Sequence, residues 1–400
     1  MTLPPRARGR ILALAAGLLI MQPGGTFAQP AGGPPPGEGP PHGDGPPPGN
    51  GGPTDPNLGD TSILFEQTPI PEAVDTCGTD GGYDRLLCLV DLLKDDIDDD
   101  AIMDRLQQDY SVATAQIWSN LPAGAVPDRP GVYLGEFDQK QRGIIKAIMM
   151  EATGTAPDEG FDELLQINNA DDYIGTVSTD YKAGYASYNT KIAFLGTPDR
   201  TGTWELYYGG HHLAFANTYR DGALVGATPS FRGVEPFPRF EMNGRENMPL
   251  TQERAAFTAL LRSLSDDQRE AARLEGRYRD ILAGPGEDDA IPDTQEGLNV
   301  SELSADQQDL LMAAVATYVD DIDAADAARY MEKYRGQLAD TVLGFSGTTE
   351  VNTEDDYVRI HGPSLWIEFS LQSNKSTGEI GNHPHSVWRD RQDDYGGNTE

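Results

Sequence analysis

The sequence predicts an α+β fold built on one compact core, on three observations. Two Ser-x-x-Gln boxes announce capped helices between residues 265 and 318. Tyr357 to Ser370 alternates apolar and polar side chains around a turn, the period of a half-buried hairpin. Extended, β-branched and aromatic stretches recur near 191–220 and after 342. Strands interleaved with helices in this order favour an antiparallel sheet with helices packed on it, not a parallel doubly wound fold.

At the N-terminus, Arg6, Arg8 and Arg10 precede the apolar run Ile11–Met21 and the small-residue site Thr26-Phe27-Ala28. This is the pattern of a cleaved export signal over residues 1–28. Residues 29–57 form a Gly/Pro-rich linker. Between 29 and 56 there are 9 Gly and 11 Pro with almost no apolar side chains, too little to offset the entropy of ordering, so the linker is expected to be disordered. The domain proper is expected over 58–400.

Its first segment carries Cys77 and Cys88, the two cysteines of the chain. In an exported protein, this spacing suits one local disulfide better than a redox motif with two intervening residues. Leu86, Leu87, Leu89, Val90, Leu93, Ile102 and Leu106 then give helical periodicity over 84–118, and Asp138 with Gln141 opens a helix running to Met150. Ser265 with Gln268 heads a run extending to Leu282. Ser304 with Gln307 heads another to Tyr318, whose Leu310, Leu311, Ala314 and Val315 make a packing stripe. The turn His361-Gly362-Pro363-Ser364 is expected to pair His361 with Ser364 and Tyr357 with Glu368. Val358, Ile360, Leu365 and Ile367 then face the core, while Tyr357, Arg359, His361, Ser364, Trp366 and Glu368 share the other face.

Charge narrows the function. With 64 acidic against 30 basic residues, the formal net charge is −34. No basic face is available for phosphates, so nucleic acid is excluded as a partner. No segment beyond the signal has the ~20 apolar residues of a membrane span. The acidic runs Asp95–Asp100 and Asp321–Glu332 lack a calcium loop's glycine and read as solvated acidic faces. Serine-hydrolase elbows, phosphate-binding loops and His-Glu-x-x-His helices are absent from the sequence.

The chemical signal is histidine. Four of the six lie in Gly209-Gly210-His211-His212 and Asn382-His383-Pro384-His385. Pro384 favours extended backbone, in which His383 and His385 point the same way, as two ligands of a copper or zinc ion would. On a regular strand His211 and His212 would face opposite sides, so that one joins the site unless the glycines introduce a bulge. The candidate metal ligands are therefore His211, His212, His383 and His385. Glu368, Arg389 and Asp390 are the candidate catalytic residues: either carboxylate as ligand, imidazole partner or general base, and Arg389, or Arg359, as an anion clamp. An ion at an open site would support hydrolysis or, if copper, oxidation. The alternative is a metal-free periplasmic binder that holds a small solute with Trp366, Trp388, Tyr357 and Arg389.

Three blocks, Trp204–Leu213 (WELYYGGHHL), Tyr357–Phe369 (YVRIHGPSLWIEF) and His383–Gly396 (HPHSVWRDRQDDYG), resemble the bacterial domain of unknown function numbered 3500, over roughly residues 115–397. The resemblance implies an exported protein, periplasmic or extracellular, and carries no activity, substrate or cofactor. It leaves the Gly/Pro linker and the Cys77–Cys88 segment outside.

Overall fold

Helix signals and strand alternation meet in a twelve-stranded sheet whose apolar face carries the longer helices. The computed structural model describes residues 64–126, 128–178, 182–373 and 382–397. The expected signal and the Gly/Pro linker lie outside the described residues. Among the described residues, twelve strands form one sheet. Its centre comprises β1 (Lys191–Gly196), β2 (Thr203–Gly210), β3 (Leu213–Arg220), β4 (Ser230–Gly233), β5 (Val342–Ser346), β6 (Tyr357–His361), β7 (Leu365–Ser373) and β8 (Asn382–Asp390). They are ordered β1-β2-β3-β4-β8-β7-β6-β5 and antiparallel throughout, with one short parallel pairing of Gln107–Gln108 onto the β1 edge. The last strand in sequence, β8, therefore enters the middle of the sheet, beside β4.

The two faces have different fates. One buries Val358, Ile360, Leu365, Ile367, Phe369 and Trp388 against the helices Thr251–Ser263, Ala305–Val319 and Ala324–Arg335, with Phe257, Tyr318 and Tyr334 at the contacts. Burying such side chains is the main stabilising term, at ~1.5–3 kcal/mol each. The other face carries Tyr357, Arg359, His361, Trp366 and Glu368, as the alternation predicts. It too is buried, beneath Trp118 and an irregular segment around Tyr278–Ala283.

The Asp138–Gln141, Ser265–Gln268 and Ser304–Gln307 capping boxes all form. Three expectations need correction. The helix after Ser265 stops at Ala272 rather than near Leu282. The hairpin pairs His361 with Trp366 and Tyr357 with Ser370, because Gly362–Ser364 form the turn; a slide of two residues preserves the faces. Asp321 is fully buried on Arg232, so the Asp321 run is not simply a solvated face, although Asp323 caps the helix Ala324–Arg335.

Cys77 and Cys88 form a disulfide, with Cα atoms 5.6 Å apart, tying the short turn Glu72–Cys77 to the helix Tyr83–Asp95. Among the described residues, no helix is long and apolar enough to cross a membrane.

Candidate functional site

The two histidine pairs come together because β4 and β8 are neighbours. On β8, His383 and His385 share a face, with Pro384 turned to the other, as the extended reading predicts. His385 pairs with Gly233 on β4 and Ser370 on β7. The other pair behaves differently. Gly210 pairs with Leu213, so His211 and His212 are the two central residues of the β2–β3 hairpin turn, not strand positions. His212 adopts a left-handed conformation, φ 59°, an uncommon state for a non-glycine residue that concentrates at functional sites. Its backbone is pinned: the His212 N–H donates to Asn120 O at 3.1 Å, and its carbonyl accepts from Gly233 N–H at 2.7 Å. This turn swings the His212 ring over the strand pair.

His212, His383 and His385 each offer a ring nitrogen within 4.8 Å of the others. Their ring centres are 5.0, 5.2 and 5.5 Å apart, and all three side chains are buried. Gly233 forms the floor: a Cβ there would sit 3.0 Å from Cδ2 of both His212 and His385. His211 stays out of this trio. Its ring stacks on His212 with centres 3.7 Å apart, and its Nδ1 lies 2.6 Å from Asp171 Oδ1.

Electrostatics keep His212 uncharged. Burial, then the neighbouring His211, His385 and His383, hold His212 well below the usual histidine range, so its imidazole is neutral at pH 7. Nδ1 of His212 and Nε2 of His385 are buried without a hydrogen-bond partner, a costly arrangement for polar atoms. The other nitrogen of His385 is engaged: Nδ1 lies 3.0 Å from Asp280 Oδ1 and 2.7 Å from the Gln372 amide. Burial raises the Asp280 carboxyl, but His385 and hydrogen bonds from His385, Ile281 N–H and Gln372 outweigh it, so Asp280 sits below the ordinary carboxylate range.

The remaining candidates are committed elsewhere. Glu368 accepts four hydrogen bonds, from Leu282 N–H, Ala283 N–H, Tyr357 OH and Trp366 Nε1–H, at 2.6–2.8 Å. Burial raises its pKa while those four donors oppose the rise. Arg389 and Asp390 point to opposite faces. Arg389 binds Asp394 and Asp288 and, despite burial, is held fully cationic by Asp394, Tyr395 and Asp288. Asp390 accepts from Tyr334 OH and Lys333 Nζ, five strand residues or ~16 Å from His385. Arg359 pairs with Glu296 at 2.9 Å. Trp366, Trp388 and Tyr357 are all buried, with Trp388 on the core face, so they make no common solute-facing surface. Arg389 and Tyr395 do edge a cavity of about 510 Å³, with Asp288, Asp289 and Arg391.

Residue-pattern reasoning missed Asp280, Gln372, Asp171 and Gly233. A glycine inside a strand, Gly233, was the one available signal, since it marks a close approach. Asp280 lay in a run read as helix.

Fold and site together define an α+β protein whose central strands and one strained turn gather a buried three-histidine cluster backed by a carboxylate. The chain belongs to the family described as protein of unknown function (DUF3500), whose model matches residues 88–397. The match extends further toward the N-terminus than the three blocks suggest and takes in Cys88. No curated protein and no solved structure matches.

Proposed function

We propose that this is an exported metal-binding protein in which His212, His383 and His385 hold one copper or zinc ion. The observation that carries the reading is the buried convergence of three imidazoles, two of which present unpartnered nitrogens. Three imidazoles bound to one tetrahedral ion at ~2.0 Å hold their ring centres about 5 Å apart, close to the 5.0–5.5 Å separations found. Side-chain rotations would close the nitrogens from within 4.8 Å to the ~3.3 Å spacing of a bound tetrahedron.

Asp280 on Nδ1 of His385 supplies the outer partner that metal-ligating histidines usually have. Among the described residues, no fourth His, Cys, Asp or Glu joins the group. Three protein ligands leave a position for water or substrate, the pattern of catalytic rather than structural sites. A bound ion would supply Lewis acidity for hydrolysis or, as copper, a redox centre. Export is supported by the Arg-led apolar start of the sequence and by the Cys77–Cys88 bridge.

The test is elemental analysis of tag-free protein after loading with zinc or copper and dialysis. About one equivalent in the wild type, and under about a tenth in a folded His385→Ala variant, is the expected result for a multi-imidazole site. Less than a tenth in the wild type overturns the proposal.

A further inference from the structure

The Asp280 carboxylate reaches His385 only because an irregular strap, residues 274–283, is held across the polar face of the sheet. Leu274 N–H donates to Phe345 O at 2.8 Å, and Ser346 Oγ donates to Gly276 O at 2.9 Å. Tyr278 stacks on Tyr357 with ring centres 4.2 Å apart and planes 11° from parallel. Immediately after Asp280, both oxygens of Glu368 are taken up by the strap: Oε1 accepts from Leu282 N–H at 2.7 Å and Oε2 from Ala283 N–H at 2.8 Å.

Glu368 is fully buried and also fixed from its own sheet. Tyr357 OH donates to Oε1 at 2.6 Å and Trp366 Nε1–H to Oε2 at 2.8 Å. A four-donor carboxylate is rigid, and charge-assisted bonds of this kind are about twice as strong as neutral ones. The same strand, β7, carries Gln372 to the His385 ring. One rigid strand thus sets both the strap and an amide against Nδ1 of His385, leaving the buried, unpartnered Nε2 as its free donor nitrogen.

We propose that Glu368 is a positioning residue of the histidine site, acting through the Leu282–Ala283 amides and Asp280 on His385, so that ion binding and strap order are coupled. The proposal rests on the metal-binding reading. Coupling is reciprocal: whatever tightens the ion by ordering the strap must also order the strap when the ion binds.

The test uses tag-free full chain, titrated with Zn²⁺ and with Co²⁺ as a spectroscopic probe, in the wild type, Asp280→Asn, Glu368→Gln and the double variant. Outer-partner losses typically cost 10–100-fold in affinity. Each single variant is expected to weaken binding by about that factor and shift the Co²⁺ visible band, with the double variant no weaker than the worse single one, as for residues on one path. Independently of any substitution, Zn²⁺ should slow hydrogen exchange at the Leu282 and Ala283 amides of the wild-type protein. Wild-type affinity in Glu368→Gln, multiplicative losses in the double variant, or exchange at those amides unchanged by Zn²⁺ overturns the proposal while leaving metal binding intact. A wild type that takes up no metal overturns both readings. Should Glu368→Gln fail to fold, the exchange experiment alone decides.

Discussion

Replacing Gly233 by Ala probes the cluster without touching a ligand. The added Cβ would meet Cδ2 of His212 and Cδ2 of His385 at 3.0 Å each, and Cγ of His212 at 3.1 Å. Carbon atoms settle at ~3.5–4.0 Å, so the rings must retreat by roughly 0.5 Å in total or more. Metal–nitrogen distances tolerate only about 0.2 Å. The expected outcome is a loss of roughly 100-fold in Zn²⁺ affinity, or about 2.7 kcal/mol. The metal-free protein should lose only ~1–3 kcal/mol to overpacking. Calorimetry and thermal shift separate the two effects: with saturating metal, the metal-induced rise in Tm should shrink by roughly 5 °C. Wild-type affinity in a folded Gly233→Ala protein would refute the geometry on which the trio rests.

Other consequences are equally checkable. Arg232 is buried among Glu163, Asp321, Glu253 and Glu159; burial chiefly, then mutual repulsion, raises Glu159 to about 9 and Glu163 to about 8, while for Asp321, raised to about 6, Arg232 opposes the burial. These folded-state values exceed those of the unfolded chain, so the stabilising protons are bound at acid pH and lost as pH rises. Stability should therefore fall between pH 6.5 and 9, by at most ~1.4 kcal/mol per unit per proton, and Glu253→Gln should flatten the slope; a Tm rising over that range would contradict this. Reducing Cys77–Cys88, which are 11 residues apart, should cost about 2–3 kcal/mol in denaturant titrations without changing metal uptake. Asp390→Asn, which weakens the bonds to Lys333 and Tyr334, should lower stability by ~1–3 kcal/mol and leave metal affinity unaltered, whereas a loss of metal would place Asp390 in the site.

Local rules carried much of the fold. Period-two alternation put Tyr357, Arg359, Trp366 and Glu368 on one face even though the register slid, because a two-residue slide is invisible to faces. The same rule aligned His383 with His385. What local rules could not supply was tertiary. Gly-Gly-His-His reads as strand until Gly210–Leu213 pairing makes its histidines a turn. Asp321 reads as a solvated acid because nothing in the sequence near it announces Arg232. Asp280 was hidden because the helix ends at Ala272, and Arg273 and Leu274 are drawn instead into contacts with Phe345. Glu368, Arg389 and Asp390 read as candidate catalytic residues, and the sequence does not show that their partners lie up to 101 positions away.

The most direct measurement is anomalous diffraction at the absorption edge of the loaded metal. A three-histidine centre predicts one strong peak about 2.0–2.1 Å from a nitrogen of each of His212, His383 and His385. Metal found only on the acidic surface, or a peak unchanged in His383→Ala, would contradict it.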